Sequence, residues 1–183
     1  MSEAARPADP LILTLAVDAR AQERLDWLRR AHFPPERNLV PAHVTLFHAL
    51  PGDRADDIRG ALAAECAAVA PSVVILGPPR LLGRGVALAV DAPTIAALRA
   101  RLAARWSDWL TAQDRQRWNP HATVQNKVRP ERARALYRTL SATSAVAEAR
   151  AEALLLWHYR GGPWEPAGRF AFAAAGDGGR EPR

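Results

Sequence analysis

The chain has 183 residues, 49% apolar and 24% charged, with a formal net charge of +6. At roughly 100–200 residues per domain, that length allows one compact domain or two small fused lobes. The composition excludes a disordered charged tail, a collagen-like fibre and a disulfide-stapled mini-protein, and the single cysteine, Cys66, excludes an internal disulfide and a cysteine-bound zinc.

In chain order, residues 1–10 are expected to be mobile, and Leu11–Asp18 reads as a strand. Ala21, Leu25, Leu28 and His32 follow helical spacing up to the break at Pro34–Pro35. His43–Leu50 is a second strand. Asp53 is the expected N-cap of a helix with the stripe Ile58, Leu62, Cys66 and Val69. Val73–Leu76 and Gly85–Val90 read as strands around a loop at Gly77–Arg84. Asp91 and Pro93 open a helix carrying Ile95, Leu98, Leu102, Trp106 and Trp109 on one side. Ala122–Asn126 is a short strand, and Pro130 starts a helix through Ala133, Leu136, Tyr137 and Leu140. Ala153–Tyr159 and Arg169–Ala173 are the last strands, and residues 176–183 form a second mobile end. The order strand–helix–strand–helix–strand thus runs twice through a single domain over residues 11–175, with no linker between the halves.

No apolar run approaches the ~18 residues of a membrane span. The N-terminus carries Glu3 and Asp9 rather than a basic leader, so a cytoplasmic protein is expected. The high pI, about 10.8, permits a phosphate-bearing partner. Its weight is small, because the arginines are scattered and only Lys127 is a lysine.

The chemistry lies in a repeated motif. His43–Val44–Thr45–Leu46 and His121–Ala122–Thr123–Val124 share the pattern His–apolar–Thr–apolar, one copy in each half. Two of five histidines with threonine two places on would arise by chance about once in 70 such sequences. In a strand, residues i and i+2 share a face, so each histidine points with its threonine while the apolar residues anchor the other side. Two imidazoles that titrate near ~6.5 can hold one proton between them, and two hydroxyls can stabilise charge on a phosphate oxygen. Such a set suits in-line displacement at phosphorus, with one histidine as base and the other as acid. It calls for no metal and no cofactor.

The paired motifs, their placement and the flanking Val40–Pro41–Ala42, Asn119–Pro120, Leu156–Trp157 and Gly162–Pro163–Trp164 resemble the two-histidine phosphoesterase superfamily, in its 2'-5' RNA ligase branch. The resemblance implies an α+β fold: two pseudo-twofold-related lobes with mainly antiparallel sheets flanked by helices, and a cleft between them. It also implies a metal-independent phosphodiesterase that hydrolyses 2',3'-cyclic phosphates of RNA ends or small nucleotides, with reversible 2'-5' ligation as related chemistry. His43 would be the proton donor to the leaving oxygen, His121 the acceptor from water, and Thr45 and Thr123 the phosphate ligands. The partner would be an RNA terminus or a small cyclic nucleotide, with no membrane and no obligatory protein partner.

Around this core, strict alternation places Phe47 with His43 and Thr45, and Gln125 with Thr123, as candidate substrate contacts. Arg84, Tyr159 and Trp164 join them as loop-borne candidates, with Trp118, His158 and Arg160 behind. His48 falls on the opposite face and reads as structural or surface. His32 reads as a helix C-terminal residue, and Trp106, Trp109 and Cys66 read as core. Two rivals remain: a nucleotide- or RNA-binding module without turnover, and a metallohydrolase. The second lacks the His–x–x–x–His or carboxylate spacing that a metal would need.

Overall fold

Alternation along Leu11–Val17 sends Leu11, Leu13 and Leu15 into the hydrophobic core and turns Ile12, Thr14 and Ala16 to the other face of a strand. This computed structural model describes residues 9–143 and 146–173. Apart from residues 9 and 10, the ends expected to be mobile lie outside the described residues.

The elements run β1 (Leu11–Val17), α1 (Ala19–His32), β2 (Val44–Leu50), α2 (Ala55–Ala67), β3 (Ser72–Leu81), β4 (Val86–Asp91), α3 (Pro93–Arg105), β5 (His121–Gln125), α4 (Pro130–Ala142), β6 (Ala147–His158) and β7 (Glu165–Ala171). All strand pairings are antiparallel, in the order β1-β2-β5-β4-β3-β6-β7, and β1 also pairs with β6. The first six strands therefore close into a barrel. The expected α+β fold with antiparallel pairing and flanking helices holds, but the two lobes do not have separate sheets. The third strand of each half joins the other: β3 lies between β4 and β6.

The closure is confined to one end. Residues 72–76 of β3 pair with 147–151 of β6, while Pro79–Leu81 stay on β4 and Ala153–His158 stay on β1 and β7. Beyond the β3–β6 seam the sheet splays into two arms, β1–β6–β7 and β3–β4, hinged on the neighbouring strands β2 and β5. The mouth between the arms is the cleft.

Four sequence expectations are corrected. Asp53 lies in a 3₁₀ turn, Gly52–Arg54, and the N-cap of α2 is Arg54 without a side-chain bond. The loop expected at Gly77–Arg84 is strand up to Leu81, with a register shift on β4 between Leu76 and Pro79 that passes the two prolines. Trp109 lies past the end of α3, packed partly buried against the core. Strand β6 begins at Ala147, six residues before the apolar run that signals it. There Ala149, Ala151 and Ala153 alternate with charged residues, and alanine buries too little surface to give a strong strand signal.

Candidate active site

β2 and β5 pair antiparallel with Val44 opposite Ala122. That register sets Thr45 across from His121 and, one residue before β2, His43 across from Thr123. Directly opposed side chains share a face with Cβ atoms ~5 Å apart. Each histidine thus faces the threonine of the other motif, and all four line one cleft of about 500 Å³. Val44, Leu46, Ala122 and Val124 point the other way, into the core.

Both rings are held alike. Nδ1 of His43 lies 2.8 Å from the Pro41 carbonyl, and Nδ1 of His121 lies 2.9 Å from the Asn119 carbonyl. A carbonyl only accepts, so each Nδ1 carries the hydrogen and each Nε2 is left to exchange a proton in the cleft. Among the described residues the Thr45 and Thr123 hydroxyls have no hydrogen-bond partner, which leaves both for a ligand.

Two buried arginines brace the strands crosswise. Arg29 of α1 donates to the Thr123 carbonyl on β5 at 2.8 Å, and to Asn38 and Val40 at 2.7 and 3.1 Å. Arg99 of α3 donates to the Leu46 carbonyl on β2 at 2.9 Å and to the Asp114 carbonyl at 2.7 Å. Trp118 adds an indole N–H to the Thr45 carbonyl at 2.9 Å. The motif backbone is thereby fixed through its carbonyls, and the threonine hydroxyls and the Nε2 atoms stay free among the described residues.

Each motif strand then bulges. Leu13 and Thr14 of β1 face Phe47 and Thr45, and Val86 and Ala87 of β4 face Gln125 and Thr123. One residue is extra in each case, so alternation breaks directly after the threonine. Phe47 and Gln125 consequently turn into the core, 0% and 1% exposed, and neither touches the cleft. Phe47 packs edge-on against Trp106 at 5.4 Å and under the Arg99 guanidinium. Gly85 sits against the β5 bulge, where any Cβ would collide with the Gln125 carbonyl.

The same bulge brings His48 to the cleft, against the expectation of an opposite-face residue. Its Nδ1 lies 2.9 Å from Asp114, a carboxylate only 1% exposed that also accepts from the backbone N–H groups of His48 and Ala49. Burial pushes the Asp114 carboxyl up, but these hydrogen bonds outweigh it and hold the group below its ordinary value.

Of the remaining candidates, only Trp164 and Trp118 line the cleft. Trp164 covers His43 with ring centroids 4.5 Å apart. Burial is the main reason that the His43 imidazole is pulled down to about 4, against the lift from its bond to Pro41. Arg84 turns away to the Val128 carbonyl, at 3.3 Å. Tyr159 and His158 lie outside the cleft lining, and Arg160 is spent on Asp9 and Glu165 at 3.0 and 2.9 Å. Arg80 supplies the cation expected of Arg84. It stands opposite Ala87, which stands opposite Thr123, and the small alanine leaves the guanidinium room to reach across. Sequence spacing gives no sign of Arg80, Arg99 or Asp114, since their meaning depends on the strand extension and the bulge.

Among the described residues no three His, Cys, Asp or Glu side chains converge to hold an ion. Nor, among them, is any helix long and apolar enough to cross a membrane.

The doubled His–x–Thr quartet over a splayed antiparallel sheet defines a two-histidine phosphoesterase fold, and comparison with known proteins agrees. The family model described as the 2'-5' RNA ligase superfamily matches residues 17–163, and the chain belongs to that family. Escherichia coli LigT, in its complex with 3'-AMP, is 20% identical with a TM-score of 0.58, over 91% of this chain and 99% of LigT. LigT has also been solved with ATP and with NADP+. TT0787 of Thermus thermophilus is 13% identical with a TM-score of 0.60, over 91% of this chain and 99% of its own. A structure described as a phosphoesterase is 18% identical with a TM-score of 0.57, over 92% and 99%. Among curated proteins, no sequence matches.

Proposed function

We propose that the protein is a metal-independent phosphodiesterase that opens 2',3'-cyclic phosphates of RNA ends or small nucleotides, with 2'-5' ligation as the same opening carried out by a 5'-hydroxyl in place of water. The observation that carries this reading is the pair of imidazoles with bare Nε2 atoms, each facing the threonine of the other motif. The cyclic phosphate sits over the quartet, with Thr45 and Thr123 donating to its non-bridging oxygens and Arg80 balancing their charge. Water attacks phosphorus in line with one ribose oxygen. His121 Nε2 takes the water's proton, and His43 Nε2–H gives its proton to the departing oxygen, leaving a nucleoside monophosphate. In the free protein His43 is neutral near pH 7. The proton it donates is held by the substrate's own negative charge, which favours the imidazolium once the phosphate lies between the rings.

That LigT binds 3'-AMP, ATP and NADP+ supports a nucleotide as the ligand class. The test is a screen of 2',3'-cyclic nucleotides and cyclic-phosphate RNA ends, with and without EDTA, using His43→Ala as control. Turnover that survives chelation and is lost in the variant supports the reading. Tight binding with no turnover would favour a nucleotide-binding module, and metal-restored turnover a metallohydrolase.

A further inference from the structure

His48 is a third imidazole in the cleft that the quartet chemistry does not use. Much is built to place it. Asp114, almost wholly buried, accepts from two backbone N–H groups, from the His48 ring and from Thr111, and its own carbonyl is gripped by Arg99. The ring itself is half exposed, with Nε2 free of protein partners among the described residues.

Its position along β2 sets what it can touch. Three residues beyond Thr45 but across one extra residue, His48 advances about two strand steps, roughly 7 Å at ~3.3 Å each, from the quartet's threonine. With one phosphate seated on the quartet's two threonines, that advance is about the separation of the 3' and 5' phosphates across a ribose. Arg117 lines the same cleft as His48, three residues after the Asp114 that holds the His48 ring. Arg117 is exposed, lines the cleft and has no acidic partner among the described residues. The one carboxylate in the cleft lining is Asp114, 1% exposed and held by the His48 ring and three further donors.

We propose that His48 and Arg117 form a second phosphate subsite, which takes the 5'-phosphate of the nucleotide whose cyclic phosphate lies over the quartet. The proposal rests on the function proposed above and narrows it to ends that carry a preceding phosphate, as an RNA terminus does. With Asp114 on Nδ1 and a phosphate oxygen on Nε2, the ring carries both protons and bridges two anions.

The experiment compares adenosine 3'-monophosphate with adenosine 3',5'-bisphosphate by calorimetry. In parallel it measures kcat/KM on adenosine 2',3'-cyclic phosphate with and without a 5'-phosphate. In the wild type the added phosphate should tighten binding and raise kcat/KM about tenfold or more, as a charge-assisted contact does. His48→Ala and Arg117→Ala should each bring both ratios close to one. A wild-type ratio of one, a ratio that persists in the variants, or an equal loss on both ligands would overturn the subsite. Failure to turn over either cyclic substrate would instead break the proposed function, and the binding ratio would still read the subsite.

Discussion

On β2 the ring of His43 donates to the carbonyl two residues back, and on β5 the ring of His121 does the same. Each strand bulges after its threonine and is braced by a buried arginine from a helix of the other half. Their surroundings part company above the sheet. His43 lies beneath Trp164 in the arm that carries β7, and loses its charge to burial. Among the described residues no aromatic ring stacks on His121. Past the bulge, β2 continues to the His48–Asp114 pair, whereas β5 ends and Asn126 turns back on the N–H of Lys127. Two like motifs cannot divide acid and base roles by themselves. The cover over His43 keeps its free ring neutral, so the acid role proposed for it depends on the substrate's phosphate restoring the proton.

The largest expected effect tests the likeness. His43→Ala and His121→Ala should each lower kcat by ~10²–10⁴, the contribution of one positioned proton-transfer group. Because both act in one transition state, the double variant should lose less than the product of the two. Steady-state kinetics on one cyclic nucleotide decides it, and a near-wild-type rate in either single variant breaks the equivalence. Thr45→Ala and Thr123→Ala remove one donor each, which can cost ~10²–10³ and less while the other threonine remains.

The unlikeness has its own test. Trp164→Ala uncovers His43, and its imidazole should titrate upward from about 4 toward the ordinary 6.5, read by NMR of the ring. The acid limb of kcat/KM should move the same way, although the limits of the profile belong to the coupled pair. Stability follows with a definite sign. Since the folded value lies below the unfolded one, the unfolded chain binds the proton first, and stability falls as pH drops from 6.5 to about 4. Denaturant titrations at intervals over that range should show the slope, and His43→Asn should flatten it.

What the sequence made legible follows from what two-residue periodicity can carry. His43, Thr45, His121 and Thr123 were readable because all four precede the bulges, where alternation is intact. Phe47, Gln125 and His48 were misplaced because each lies after an extra residue that nothing in the composition marks. The four helices were readable from their apolar stripes, but the closure of the sheet was not, because the β3–β6 seam is built from Ser72–Leu76 against an alanine-and-charge alternation. Arg84 and Arg80 differ by four residues, and only the strand running through Gly77–Pro78 decides which one reaches the cleft.

The smallest expected effect compares the residues that follow the two bulges. Phe47 and Gln125 occupy corresponding places, both in the core, but Phe47 is apolar and packed on Trp106, while the Gln125 side-chain oxygen is buried without a partner among the described residues. An unsatisfied buried acceptor costs ~1–3 kcal/mol, whereas an apolar group of similar shape in its place does not. Gln125→Met keeps the length and removes the orphan, so it should stabilise the fold by about 1 kcal/mol. The gain should show as a higher denaturation midpoint with unchanged slope. It should leave kcat/KM where it was, because Gln125 faces away from the cleft. A loss of activity at equal or greater stability would mean that its amide reaches the substrate after all, as strict alternation had suggested.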